Sequence, residues 1–304
     1  VGIAMGTTVG CTFHNEEYYS AWRAGLNPDL EPVQFYLGGN VSSALHRILK
    51  TKGPSAVVTN ACASGTDSIG VARNWLHTGQ CDLAIAGGAD ELSRVAYNGF
   101  ASLMLADTVP CRPFNSDRQG LNLGEGAGVM LLEREVDARD RQVEVIGWVR
   151  GYGCAADAWH PTAPHPEGRG LKAALRQALR DAGDMEGLPA LINAHGTGTK
   201  ANDQAETSAL ADIFSEVGKL QVVSTKGITG HTLGAAGGIE AVLTMKALRG
   251  GSTVGTVGCL DPDPDFALRP LSQGEKAQLV GCWGISQSLA FGGGNSVLVL
   301  EAAQ

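Results

Sequence analysis

Cys62 stands in NACASG, directly after the apolar run AVVT and directly before SGTDSIGVARNWL, a stretch of helical character. A thiol in the first turn of a helix meets the positive end of the helix dipole and several free backbone N–H groups, which favours the thiolate and so nucleophilic attack. His195 follows the apolar run of INAHGTGT. His231 lies in STKGITGHTLGAAGG, ahead of a small-residue helix, with Lys226 five residues before it. Both histidines sit where a strand gives way to a glycine-rich turn, a place that lifts a side chain to the ligand-binding edge of an α/β sheet. A free cysteine is more often inert, and a lone histidine more often structural. Two histidines in this setting, with one cysteine at an elbow, favour chemistry. His14, His46 and His77 lack the setting and are expected at the surface, and Cys11, Cys81, Cys111, Cys154, Cys259 and Cys282 are expected to be inert.

The elements that must hold these groups follow from the apolar pattern. AVVT, LAIAG, VMLL, LINA, VVST and VLVL are short apolar runs without alternation, as in strands covered by helices on both faces. In GLKAALRQALRDAG (170–183), Leu171, Ala174, Leu175 and Leu179 share one helical face. The loop DAWHPTAPHPEGRG (157–170), rich in Pro and His, cannot be regular structure and is expected over a site or an interface.

Three stretches recur in the same order. VVTNACASGTDSIG, from Val57, is echoed by VVSTKGITGHTLGAAGG, from Val222; EGAGVMLLE, ending at Glu133, is echoed by GGNSVLVLE, ending at Glu301, at nearly the same offset. IAMGTT likewise pairs with INAHGTGT. The chain therefore reads as two related α/β halves, residues 1–140 with the cysteine and 141–304 with both histidines. In this register the second half owns a segment, EVIGWVRGYG (144–153) through the helix at 170–183, whose counterpart would precede Val1.

With 304 residues, 43% hydrophobic and 18% charged, the chain can bury one large core or two packed halves. A net charge of −8 argues against nucleic acid or anionic membrane as partner. No apolar run reaches the roughly 18 residues of a membrane helix and no leader pattern opens the sequence, so a cytoplasmic protein is expected. The 7 cysteines are scattered, with no CxxC, which suggests neither a disulfide framework nor a zinc site.

NACASG, NAHGTGTKANDQAE, STKGITGHTLGAAGGIEA and FGGGN, in this order, together with CRPFNSDRQGLNLGEGAG (111–128), resemble the β-ketoacyl-acyl carrier protein synthases, the ketosynthases of fatty-acid and polyketide assembly. The likeness runs over essentially residues 1–301. It implies the thiolase fold, a duplicated α/β architecture of five layers, αβαβα. Members normally carry a further N-terminal strand-and-helix block, which matches the segment without a counterpart here.

The resemblance also implies roles. Cys62 would take the acyl chain as a thioester, and His195 and His231 would decarboxylate a malonyl extender by donating hydrogen bonds to the enolate oxygen as it forms. The backbone N–H groups of Cys62 and Phe291 would hold the tetrahedral oxyanion. Lys226 would be an electrostatic support, Glu240 a carboxylate orienting the second histidine, and Phe291 a gate beside the nucleophile. Thr197 and Thr199 would bind the phosphopantetheine arm, with Thr162 and Asn295 also on the substrate. No metal and no cofactor beyond the carrier's phosphopantetheine is implied.

Where the family usually reads GFGG, this chain has Leu289-Ala290-Phe291-Gly292, and Ala290 is expected to restrict the gate loop. The partner would be an acidic acyl carrier protein, docking on cations such as Arg112 and Arg118, while NPDLEP (27–32) offers only Asp29 and Glu31. The family dimerises through the strand leading to the nucleophile, here residues 55–59, which implies a homodimer or a heterodimer with a second ketosynthase-like chain. Two alternatives stand beside the condensing enzyme. A thiolase would need a second cysteine near FGGGN, where there is none. A partner subunit of chain-length-factor type usually lacks the nucleophile that Cys62 supplies.

Overall fold

A computed structural model describes residues 1–10 and 12–303; Cys11 and the side chain of His14 lie outside the described residues. The first half runs β1 (Gly2–Gly6), α1 (Phe13–Arg23), α2 (Glu31–Gly38), α3 (Val41–Leu49), β2 (Ser55–Val58), α4 (Ser64–His77), β3 (Leu83–Asp90), α5 (Arg94–Ser102), β4 (Gly126–Glu133) and α6 (Glu135–Asp140). The second runs β5 (Gly147–Ala156), α7 (Arg169–Ala182), β6 (Leu191–Asn193), α8 (Lys200–Ile213), β7 (Val222–Val223), α9 (Lys226–Thr229), α10 (Ala236–Gly250), β8 (Ser252–Val254), β9 (Lys276–Gln278), β10 (Trp283–Leu289) and β11 (Gly294–Ala302).

One sheet has the order β2-β1-β3-β4 and the other β5-β11-β10-β6-β7. In the first, β1 is parallel to β2 and β3, and β4 is antiparallel to β3. In the second, β6 is parallel to β7 and β10, and β11 is antiparallel to β10. Strands β7-β6-β10-β11 thus repeat β2-β1-β3-β4 in order and direction, and the three sequence echoes fall on the pairs β2/β7, β1/β6 and β4/β11. The fourth pair, β3/β10, is silent in sequence: WGISQSL interleaves polar residues, yet all seven positions of β10 are buried. Two of its polar side chains find partners, Gln287 donating to Glu206 (2.7 Å) and Ser288 bonding Thr66 (2.9 Å), while the Ser286 hydroxyl is buried without a hydrogen-bond partner among the described residues.

Helices α4 and α10 pack between the two sheets, α7 and α8 cover the far face of the second, and α3 packs on β1 and β2, giving the five layers αβαβα. The central layer is thin because its helices touch through backbone: a Cβ on Gly65 would lie 2.7 Å from Gly234 O and Gly238 N, and one on Gly237 2.1 Å from Thr66 Oγ1. The two larger apolar clusters follow these layers. One, with Leu171, Leu175, Ile192 and Leu210, lies under α7 and α8; the other, with Ile69, Ala72, Met245 and Leu298, lies between the sheets. Each fully buried aliphatic side chain contributes about 1.5–3 kcal/mol.

The halves differ at one edge. Strand β11 is flanked by β5 in an antiparallel ladder from Gly294 to Ala302, with α7 packed over both. The outer edge of β4 has no strand partner among the described residues. Consequently VMLL is not covered on both faces as its apolar run predicts: Val129 is 44% and Leu131 62% exposed. The edge of β2, residues 55–58, is also without a strand partner among the described residues.

Candidate active site

Strand β2 leads into a tight turn, Asn60-Ala61-Cys62, which passes as one 3₁₀ turn into α4. Ala61 has φ +43°, a left-handed conformation that costs an L-residue about 1–2 kcal/mol. Ser64 braces the turn, accepting the Asn60 N–H (2.8 Å) and donating to Ala61 O (2.6 Å). The thiol, 4% exposed, is thereby held at the seam between the halves.

His195 lies just past β6, on a loop whose backbone is gripped by Glu206 of α8: the carboxylate accepts the N–H of His195 (2.6 Å) and of Gly196 (2.7 Å). Asn202 (2.8 Å) and Gln287 (2.7 Å) also donate to it. Lys226 opens α9, and its Nζ sits 3.1 Å from His195 Nδ1 and ion-pairs with Glu240. An ammonium has only donors, so Nδ1 of His195 must accept, and the ring proton lies on Nε2. His231 occupies the turn between α9 and α10, its backbone N–H donating to the Asn122 carbonyl at 2.7 Å. Its Nε2 is 3.0 Å from Cys62 Sγ. The two imidazole centroids are 5.1 Å apart with ring planes at 85°.

Burial governs the protonation of this group. It pushes the Cys62 thiol up to about 11, against the lowering pull of Lys226 and of the Phe291 and Cys62 backbone amides. The expectation of a thiolate favoured by the helix N-terminus is therefore corrected: desolvation outweighs the N–H groups and the dipole. Both histidines are held well below 6.5, by burial first and by the Lys226 charge next. The resting pair is a neutral thiol beside a neutral imidazole, with the imidazole able to take the proton.

These groups share a cavity of about 490 Å³ whose lining includes Cys62, His195, His231, Thr162, Thr197, Thr199 and Phe291. Asp157, Thr162, Ala163 and Pro164 bring the Pro/His-rich loop to its wall. On the apolar side Phe291 stacks on Phe100 of α5, centroids 5.2 Å apart. Thr197 and Thr199 bond each other through their hydroxyls, 2.9 Å.

Other expectations need correction. Glu240 stands behind His195 through Lys226, rather than behind His231, whose Nδ1 is buried without a hydrogen-bond partner among the described residues. Asn295 does not line the cavity; its amide donates to Gly293 O (2.9 Å) and braces the turn at Phe291–Gly293. Arg118 is no docking cation: it is 2% exposed and ion-paired with Asp203 and Asp263. Ala290 is extended, φ −125°, a conformation open to any residue, and the left-handed positions of the loop fall on Gly292 and Gly293.

Sequence reasoning passed over Glu206, Asp203 and Asp90. The spacing of Asp203 and Glu206 in NDQAE, one helical turn apart and next to the His195 loop, was the available signal. Asp90 ends β3 and accepts the N–H of Thr8 (2.9 Å) and of Gly234 (2.6 Å), tying the turn after His231 to the first half. As a donor set, Cys62 Sγ and one ring nitrogen from each histidine, all within 4.8 Å, could hold a zinc ion. The Lys226 ammonium beside His195 opposes a second positive charge there.

Residues 1–138 match the family described as beta-ketoacyl synthase, N-terminal domain, and residues 146–259 the beta-ketoacyl synthase, C-terminal domain. The chain is 38% identical over 260 residues to the 3-oxoacyl-[acyl-carrier-protein] synthase 2 of Staphylococcus aureus, covering 83% of this chain and 63% of that protein. It is 38% identical over 317 residues to the enzyme of that name from Synechocystis, covering 100% of this chain and 75% of the relative. Among solved structures, the ketosynthase ApeO of Xenorhabdus doucetiae, in complex with its chain length factor ApeC, aligns with a TM-score of 0.87 at 35% identity, over 99% of this chain and 74% of that one. A beta-ketoacyl synthase from Burkholderia phymatum aligns with a TM-score of 0.90 at 30% identity, over 100% and 75%. With two domain matches spanning most of its length and the thiolase fold of these relatives, the chain belongs to the beta-ketoacyl synthase family.

Proposed function

We propose that this protein catalyses decarboxylative Claisen condensation, joining an acyl group carried on Cys62 to a malonyl thioester in fatty-acid or polyketide biosynthesis. The observation that carries the reading is the meeting, on one cavity wall, of Cys62 Sγ with His231 Nε2 at 3.0 Å and of the His195 ring beside it. In the first half-reaction His231 takes the thiol proton as Sγ attacks the acyl thioester, and returns it to the departing carrier thiolate. The backbone N–H groups of Cys62 and Phe291, both directed at Sγ, stabilise the tetrahedral oxyanion. In the second, malonyl loses CO₂ and the electron pair moves into an enolate, whose oxygen receives the Nε2–H of His195. His231 joins as second donor, because no partner among the described residues fixes its Nδ1 and the ring can change tautomer. The enolate carbon attacks the Cys62 thioester, and the tetrahedral intermediate collapses by breaking the C–S bond to Cys62. The released thiolate takes a proton from water to restore the thiol, and the β-ketoacyl product leaves on the carrier.

Thr162, Thr197 and Thr199 fit the phosphopantetheine arm as hydroxyls lining the way to the thiol. Residues 1–140 act as the nucleophile domain and 141–304 as the histidine domain. The carrier is an acyl carrier protein, no metal or resident cofactor enters the chemistry, and the setting is cytoplasmic. No helix among the described residues is long and apolar enough to cross a membrane. The unpaired edge of β2 suits pairing with a second chain, as a homodimer or a heterodimer.

The likeness to a ketosynthase solved with its chain length factor favours a second reading, a weakly active partner subunit of such a pair. Incubation with an acyl N-acetylcysteamine thioester, followed by peptide mass analysis, separates the two. The condensing enzyme gains the acyl mass on the Cys62 peptide, then releases CO₂ and a β-ketoacyl product when a malonyl thioester is added. A Cys62 peptide of unchanged mass points to the partner subunit.

A further inference from the structure

Asp67 lies on α4, below the nucleophile, and is 7% exposed. No arginine or lysine pairs with it among the described residues. Three neutral donors do: Asn60 Nδ2 at 2.7 Å, Tyr152 OH at 2.8 Å, and the Ser296 hydroxyl. Tyr152 is on β5 and Ser296 on β11, so a buried carboxylate of the first half is satisfied largely by the second. Such a group is costly unless its acceptors are filled, and once filled it orders whatever supplies the donors.

One of those donors belongs to the elbow itself. Asn60 precedes the strained Ala61, and its side chain also packs under the gate loop, where a Cβ on Gly294 would come within 2.8 Å of Asn60 Oδ1. From this one amide, therefore, the structure reaches the turn that bears Cys62, the loop that bears Phe291, and the sheet of the opposite half. We propose that Asp67 is a positioning residue that acts through Asn60, clamping the nucleophilic turn to the second half of the molecule. The clamp compensates the left-handed Ala61 and keeps the thiol dry and in line with His231. This rests on Cys62 being the acyl-accepting nucleophile.

The test follows two reactions of the full chain, acyl transfer from an acyl thioester to Cys62 and alkylation of each cysteine by iodoacetamide, read peptide by peptide. Asn60→Ala and Asp67→Ala should each slow Cys62 acylation about tenfold through kcat with KM little changed. Both should speed Cys62 alkylation about fivefold, because a loosened turn lets water reach the thiol. The double variant should be no worse than either single one, and Asp67→Asn, which keeps an acceptor oxygen for Asn60, should recover most of the loss. The buried Cys81 and Cys259 report on the fold as a whole and should stay unreactive. The proposal is overturned if Cys62 alkylation stays within about twofold of the parent, or if Cys81 and Cys259 become reactive together with Cys62, since Asp67 would then only stabilise the fold. Should the parent protein take no acyl group at all, the functional reading fails while alkylation still decides for or against the clamp.

Discussion

The two crossovers that follow β2 and β7 occupy equivalent places in their sheets, and each delivers a reactive group to the same seam. After β2 the chain needs one 3₁₀ turn to set Cys62 at the start of α4. After β7 it inserts the short helix α9, which plants Lys226 in the interior before the turn that carries His231. The strands of the duplicated frame have kept their order and direction, and the turns between strand and helix have diverged. The protonation states diverge with them: burial raises the acid of the pair and lowers the base, so the two meet as neutral partners. Both crossovers open the 3₁₀ turn before their helix with a left-handed residue, Ala61 in the first and Leu233 in the second, and the second adds a buried ion pair, Lys226 with Glu240.

That difference can be broken most severely at Lys226. Lys226→Ala leaves the Glu240 carboxylate buried and unpaired, which should cost about 3–5 kcal/mol of stability, measured by urea unfolding. Adding Glu240→Gln should return much of the loss. A single-variant penalty below about 1 kcal/mol would mean that the ion pair does not hold this crossover together.

The two histidines should separate by reaction step. His195→Ala removes the donor fixed by Lys226 and should slow malonyl decarboxylation by about 10²–10³, with a smaller effect on loading Cys62. His231→Ala removes the base in contact with the thiol and should slow loading by about 10² or more. Release of labelled CO₂ and the mass of acyl-Cys62 read the two steps apart; equal losses in both steps from both variants would erase the division of labour.

A finer test is pH. With the thiol pushed up to about 11, alkylation of Cys62 should climb about tenfold per pH unit from pH 7 to pH 9.5, since thiolate is scarce throughout that range. Acyl loading, with His231 held well below 6.5 and so able to accept a proton, should change little over neutral pH. A plateau in alkylation near pH 7 would show the helix N-terminus prevailing over burial.

Much of this was legible in the chain. Small residues around Cys62 mark an elbow because only they allow a strand to turn into a helix within three residues, and glycine-rich turns after LINA and VVST mark His195 and His231 for the same reason. The echoes of β2, β1 and β4 in β7, β6 and β11 announced the duplication. Strand β10 escaped because its polar residues obey no local pattern; Gln287 and Ser288 meet their partners, Glu206 and Thr66, only in the folded chain. Arg118 read as a surface cation for the converse reason, since Asp203 and Asp263, its partners, are far away in sequence. The exposed Val129 and Leu131 show that an apolar run declares a strand without declaring what covers it.

The sequence by itself determined the local matters: where strands yield to turns, which side chains those turns carry, and that two similar units are joined in one chain. Only the tertiary structure decided the pairings across the seam, namely thiol with His231, Lys226 with His195 and Glu240, and Asp67 with Asn60, Tyr152 and Ser296. The division has a physical cause. Turn and strand formation depends on neighbours along the chain, whereas proton affinity and hydrogen-bond partnership depend on what burial brings near and on how much water it removes.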